Sequence, residues 1–176
     1  APYSYLFESV QGGEKWGRYS IIGLPAKKII TANGNQITIK EGGHILEEYN
    51  VDDPLAEIER IQKTYKVAEI DGMPRFNGGL VGYFAYETIR YIEPRLNKND
   101  KDDPIGSPDI LLMVSDEVVV FDNLGGKLFI IVHADPNDAD SFSSAHQRLD
   151  ELVNTLANKR IDQTNSNDSR TVSEND

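Results

Sequence analysis

The sequence predicts an α+β fold, built mainly from antiparallel sheet in hairpins with a few packed helices. Runs of apolar residues are separated by turn signals rich in Gly and Asn, as at 33–35 and 123–126, and this punctuation is typical of hairpins. Two longer segments instead repeat their apolar residues every three or four positions, which is the period of an amphipathic helix.

The first fifty residues predict five strands in an antiparallel meander. A Gly12-Gly13 turn should join the first two strands, and Asn33-Gly34 and Gly42-Gly43 should join the last three. The predicted strands are Tyr3–Val10, Tyr19–Leu24, Lys28–Ala32, Gln36–Lys40 and Ile45–Tyr49.

A first helix should follow directly. Asp53 can cap it and Pro54 suits its first position. The helix should end near Lys66, and its apolar stripe comprises Leu55, Ile58, Ile61 and Tyr65.

The next strand, Gly79–Tyr86, combines glycine with apolar and aromatic residues. Glycine inside a strand indicates that another backbone passes close by, so we expect this strand at the centre of a sheet, with Gly82 at the close approach. A short helical run, Tyr86–Tyr91, should follow. The stretch lacks both Gly-x-Gly-x-x-Gly and Gly-Lys-Ser/Thr, which disfavours a phosphate site.

The second half predicts one long strand, Ile110–Asp122, returned by Lys127–His133. The longest helix should span Asp135–Lys159, with an apolar face of Phe142, Ala145, Leu149, Leu152, Val153 and Leu156. We place one domain at 1–160 and read the polar residues 161–176 as a linker.

Composition excludes several functions. The net charge of −11 argues against nucleic-acid binding and anionic membrane surfaces. The absence of cysteine excludes disulfides and thiolate chemistry. We expect a cytoplasmic protein.

No catalytic residue or metal ligand is predicted from the residues themselves. His44, His133 and His146 are widely separated, and none has a His or Cys partner at metal-ligand spacing. The residues alone therefore favour a binding or regulatory domain over an enzyme.

Three longer motifs follow one another along the chain. The first runs from Leu6 to Gly23 and contains Glu8-Ser9 and Gly17-Arg18-Tyr19-Ser20. The second is Gly78 to Glu87, with Glu93-Pro94-Arg95 after it, and the third is Pro108 to Asp122. Together, and in this order, the three motifs resemble anthranilate synthase component I. The resemblance covers about Tyr3 to Leu156 and implies the N-terminal portion of a longer enzyme.

In that family, the complete enzyme makes anthranilate and pyruvate from chorismate and ammonia, and a glutamine amidotransferase subunit supplies the ammonia. The resemblance implies that the chorismate and Mg²⁺ sites lie in a C-terminal portion with no match in this chain. It also implies that this chain is inactive alone and holds half of a site for the feedback inhibitor tryptophan.

The family's tryptophan motif falls on Leu6, Phe7, Glu8 and Ser9, with Phe7 in place of the usual Leu. Successive strand residues point to opposite faces, so Phe7 shares a face with Ser9, and Leu6 with Glu8. We expect Ser9 first and Glu8 second to contribute to the tryptophan site.

Two alternatives remain open. One is the corresponding portion of a related enzyme, aminodeoxychorismate synthase component I or a salicylate synthase. The other is a free-standing binding module.

Overall fold

A computed structural model describes residues 1–8, 17–93, 95–96 and 105–158 of the chain. Two antiparallel sheets and a few helices confirm the α+β prediction. The chain divides into two compact units, residues 1–133 and 134–176. Both sheets lie in the first unit.

The four-stranded sheet joins the start of the chain to a segment about a hundred residues later. Its order is β1-β2-β8-β9, and all neighbours are antiparallel. The strands are β1 (Tyr5–Glu8), β2 (Tyr19–Gly23), β8 (Glu117–Asp122) and β9 (Lys127–Val132).

The five-stranded sheet has the order β5-β4-β3-β7-β6. Its strands are β3 (Lys28–Asn33), β4 (Gln36–Glu41), β5 (His44–Asn50), β6 (Gly79–Phe84) and β7 (Ile110–Ser115). The predicted pairs β1–β2, β3–β4, β4–β5 and β8–β9 are confirmed. The meander is nevertheless interrupted, because β2 and β3 belong to different sheets.

The helix α1 spans Pro54–Thr64 and begins as predicted. Asp53 Oδ1 accepts hydrogen bonds from the backbone amides of Leu55 and Ala56, both at 3.0 Å. The short run after β6 is a 3₁₀ turn, Tyr86–Thr88, followed by α2, Ile89–Ile92.

The core has two layers. Between α1 and the five-stranded sheet lie Ile30, Ala32, Ile37, Ile58, Ile61, Ile110 and Leu112. On the sheet's other face, Tyr5 and Phe76 pack against Ile29, Val81 and Met113. Phe76 also packs against the buried cluster of the four-stranded sheet, Val118, Val120 and Ile131. Tyr5 and Phe76 therefore connect the two sheets.

The prediction of one long strand at Ile110–Asp122 is wrong. The chain leaves the five-stranded sheet after Ser115 and enters the four-stranded sheet at Glu117. Backbone bonds from the amide of His133 to the carbonyl of Asp116, and from that of Leu24 to the carbonyl of Glu117, fix the changeover. The first half of the run, β7, pairs with β3, and the second half, β8, pairs with β2. These two partners are remote in sequence and belong to different sheets, and they decide where the run is divided.

The prediction of a central Gly-rich strand is also wrong for the described part of the chain, where β6 is an edge strand beside β7. The close approach itself is confirmed. A Cβ placed on Gly82 would lie 1.9 Å from the carbonyl oxygen of Leu111, on the paired strand. Glycine is needed here because the neighbouring backbone occupies the side-chain position.

The second unit contains α3, Ser141–Asn158. It begins later than predicted because turns and a bend occupy residues 136–140. The hydroxyl of Ser141 accepts a hydrogen bond from the amide of Asp135. Ala145 and Leu152 are buried, whereas Phe142, Val153 and Leu156 are exposed. Residues 161–176, predicted as a linker, lie outside the described residues.

Several large apolar side chains of the first unit are exposed. Leu6, Phe121 and Leu128 lie on the face of the four-stranded sheet that points away from Phe76. A second group surrounds the end of β6 and comprises Tyr83, Phe84, Tyr86, Ile89 and Ile92.

Candidate functional site

The sequence-predicted site begins at the end of β1. Glu8 is the last residue of that strand, is exposed, and pairs with Ser20 of β2. Ser9, the first choice for tryptophan contact, lies outside the described residues, so the structure does not test its role.

The two faces of β1 have different surroundings. The rings of Tyr5 and Phe7 lie on one face, with centroids 4.7 Å apart, and Leu6 and Glu8 point to the other, as strand alternation predicts. Tyr5 shares a hydrogen bond of 2.7 Å with the hydroxyl of Ser115, and burial raises the pKa of Tyr5. Its ring lies over Gly23, where any Cβ would collide with it. Tyr5 thus anchors β1 to the second sheet.

A buried carboxylate lies two strands away from β1. Asp122 is only 5% exposed. It accepts hydrogen bonds from Arg18, Nε to Oδ1 at 2.9 Å and Nη2 to Oδ2 at 2.7 Å, and from the amide of Gly125 at 2.9 Å. These donors, with the amide of Leu124, hold the pKa of the Asp122 carboxyl well below its usual range. This geometry describes a fixed ion pair rather than a proton-transfer group.

The backbone beside this ion pair is also bonded. The amide of Asn123 donates to the carbonyl of Arg18 at 2.8 Å. The side-chain amide of Asn123 lies 3.3 Å from the hydroxyl of Ser20 and 3.4 Å from the carbonyl of Gly17. The Arg18 guanidinium stacks on the ring of Tyr19, 4.9 Å from its centroid. Asp122 and Asn123 therefore hold Gly17, Arg18 and Ser20 by side-chain and backbone hydrogen bonds.

A second cluster ties α2 to a turn that is distant in sequence. The hydroxyl of Tyr91 donates to Asp109 Oδ2 at 2.6 Å and lies 2.9 Å from the carbonyl of Gly34. The same carboxylate oxygen accepts from the amide of Gly34 at 2.8 Å. Burial, then the bond to Asp109, raises the pKa of Tyr91. The cluster holds α2 against the β3–β4 turn.

A third cluster lies on α1. Glu57 accepts hydrogen bonds from both Arg60 and the hydroxyl of Tyr49, and these donors lower its pKa to about 2. Beside it, a shallow cleft of about 230 Å³ opens between α1 and β3–β5. None of the residues that line this cleft belongs to β1.

The histidines contribute little to a reactive site. His44 and His146 are exposed. The Nε2 atom of His133 lies 2.7 Å from the carbonyl of Asn77 and would be displaced by any side chain at Gly78.

Across 1–8, 17–93, 95–96 and 105–158, no three His, Cys, Asp or Glu side chains are placed to hold a metal ion. The expectation that Mg²⁺ is bound by a portion of the protein outside this chain stays a prediction. In the same ranges, no helix is both long enough and apolar enough to cross a membrane.

Sequence reasoning missed the Arg18–Asp122 pair. The signal was present in the strand pattern, because Asp122 follows Val118 and Val120 on the inward side of β8, where a charge needs a partner. The identity of that partner could not be read from the sequence, since Arg18 lies 104 positions away.

The family model for chorismate binding enzymes matches residues 3–176. The chain is 55% identical over 155 residues to anthranilate synthase component 1 of Pseudomonas putida, covering 88% of this chain and 31% of that protein. It is 48% identical over 158 residues to the Neisseria meningitidis serogroup C protein of the same name, covering 88% of this chain and 32% of that protein. It is 37% identical over 158 residues to the Acetivibrio thermocellus protein of the same name, covering 89% of this chain and 31% of that protein.

The chain thus spans about a third of the length of the curated relatives it matches. The crystal structure of anthranilate synthase component I from Streptococcus pneumoniae TIGR4 is similar in fold, with a TM-score of 0.56 and 23% identity. That likeness covers 83% of this chain and 32% of the other. On the family match, which takes in all three sequence motifs, this chain belongs to the chorismate binding enzymes.

Proposed function

We propose that residues 1–160 are the N-terminal domain of an anthranilate synthase component I. The identity of 55% to the Pseudomonas putida protein over most of this chain carries the proposal. The complete enzyme would act as a lyase in tryptophan biosynthesis, converting chorismate and ammonia to anthranilate and pyruvate.

The domain's own task is regulatory. We propose that it supplies one wall of the feedback tryptophan site through Ser9 and Glu8. The exposed position of Glu8 at the end of an edge strand supports this, because a second portion of the protein can reach it. A ligand ammonium and carboxylate would need further partners from that second portion.

The chemistry is proposed to belong to the second portion, together with the chorismate and Mg²⁺ sites. Residues 161–176 would then connect the two portions. The exposed apolar groups around Leu6 and around Tyr86 support contact with such a portion.

The proposed partner is a glutamine amidotransferase subunit, which supplies ammonia, and the proposed location is the cytoplasm. The acidic composition fits neither nucleic acid nor an anionic membrane surface as a partner.

The test uses the longer protein that contains this chain, purified with and without the amidotransferase. We expect anthranilate fluorescence from chorismate and ammonium, glutamine-dependent activity only with the partner, and inhibition by tryptophan. Formation of aminodeoxychorismate instead would assign the chain to the alternative branch.

The 176-residue chain alone is the second arm of the test. It should form no anthranilate and should bind tryptophan weakly, because loss of two charged hydrogen bonds costs roughly 3–6 kcal/mol, or about 10²- to 10⁴-fold in affinity. Calorimetry that gave micromolar binding would contradict the half-site proposal.

A further inference from the structure

The Arg18–Asp122 pair is placed where it can act on the tryptophan response without touching the ligand. Among the described strands, β1 has a single neighbour, β2, so the position of Glu8 depends on that strand. The residue that pairs with Glu8 is Ser20. Ser20 in turn lies within hydrogen-bond distance of Asn123, which directly follows Asp122.

The connection from Asp122 to Glu8 is short and consists of fixed contacts. Asp122 holds Arg18 by a bidentate ion pair, a geometry that restrains both distance and orientation. Arg18 and Ser20 are both bonded to Asn123. Loss of the pair would loosen the beginning of β2, and with it the end of β1 at Glu8, which is the end away from the Tyr5 anchor.

The pair differs from an ordinary surface ion pair because its carboxylate is buried, although the Arg18 side chain is 42% exposed. An exposed ion pair contributes little, but Asp122 is buried and has backbone donors as well as Arg18. Removal of Arg18 would take away the side-chain donor to the buried Oδ2 atom of Asp122, which disfavours the present arrangement of the two strand ends.

We infer that Arg18 and Asp122 are positioning residues for feedback inhibition, which set the place of Glu8 through β2. This inference rests on the proposed function, since it concerns the same tryptophan site. The two residues act through Ser20 and Glu8 and take no part in the chemistry.

The experiment compares Asp122→Asn, Arg18→Lys and the double variant in the complete enzyme with its amidotransferase. Asp122→Asn keeps the shape of the side chain and removes the charge, whereas Arg18→Lys keeps the charge and removes the fork. The tryptophan concentration for half inhibition is measured together with kcat, KM for chorismate and the melting temperature.

Glu57→Gln is the matched control. Glu57 is also held by a forked arginine, Arg60, but it lies on α1 and is bonded to Tyr49 rather than to β2. This variant should respond to tryptophan as the wild type does.

We expect each single variant to need about tenfold more tryptophan, a typical allosteric coupling, with kcat and KM within about twofold of wild type. The double variant should be no worse than the larger single change, because both remove the same pair. If Asp122→Asn does not fold, Arg18→Lys carries the test.

Normal inhibition of both single variants, even with lower melting temperatures, would overturn the inference and leave the proposed function intact. An equal shift in Glu57→Gln would also overturn it, because the effect would then be general destabilisation. A wild-type enzyme that tryptophan does not inhibit would instead refute the proposed regulatory site, and this inference with it.

Discussion

Replacement of Gly82 by alanine tests the close approach of β6 to β7. The added Cβ would stand 1.9 Å from the carbonyl oxygen of Leu111 and must retreat to at least 3.0 Å, a movement of about 1 Å. The obstacle is backbone, so no side chain can rotate away. Overpacking costs about 1–3 kcal/mol, and we expect the upper half of that range, which lowers the melting temperature by roughly 4–12 °C in a chain of this size.

Calorimetry of the 176-residue chain gives the stability, and hydrogen exchange shows where it is lost. Because β6 is an edge strand, it should move outwards, and the amides of Gly79–Phe84 that pair with β7 should lose protection first. Gly42→Ala is the control. Its Cβ would meet nothing within 4 Å, so only the positive φ costs stability, and the amides of β6 should stay protected from exchange. A Gly82→Ala variant that melted within about 1 °C of the wild type would refute the argument.

Four further predictions test other contacts. Tyr5→Phe should lower the free energy of unfolding by about 1 kcal/mol, since it removes the bond to Ser115; urea denaturation measures this, and an unchanged midpoint would contradict it. Asp53→Ala should cost about 1 kcal/mol through loss of the α1 cap, and unchanged helical protection in hydrogen exchange would count against it. The lowered pKa of Asp122 contributes stability above the unfolded-state pKa of about 3.9, and this is lost as the pH falls through the native value. Wild type should therefore lose melting temperature below about pH 4 more steeply than Asp122→Asn, and parallel curves would disprove this. Ser9→Arg in the complete enzyme should relieve tryptophan inhibition while sparing activity without tryptophan, and a fully inhibitable variant would remove Ser9 from the site.

The sequence predicted local pairing well because turn chemistry is local. Asn33-Gly34 and Gly42-Gly43 define their hairpins without help from the rest of the chain. The division at Asp116 could not be predicted, because it depends on partners near residues 24 and 133. The sequence does contain one sign of this division, three consecutive polar residues from Ser115 to Glu117 within an otherwise apolar run.

The candidate site was likewise predictable only in its local features. Alternation placed Leu6 and Glu8 on one face of β1, which the structure confirms. Residue spacing gave no indication of the Arg18–Asp122 pair or of Tyr91 reaching Asp109, since each joins separate motifs. The resemblance identified those motifs as a group, but only the fold shows which of their side chains meet.

The order of strands in the four-stranded sheet has a consequence during synthesis. The strands β3, β4 and β5 can pair as soon as they leave the ribosome, because they are neighbours in sequence. The strand β2 must wait for β8, whose Val118 pairs with Gly23. At about 5–20 residues per second, this interval lasts roughly 5–20 s. Throughout that time the first motif, including Glu8, has no sheet to join beyond its own hairpin. A nascent chain arrested before residue 117 should therefore protect the β3–β5 amides while those of β1 and β2 still exchange.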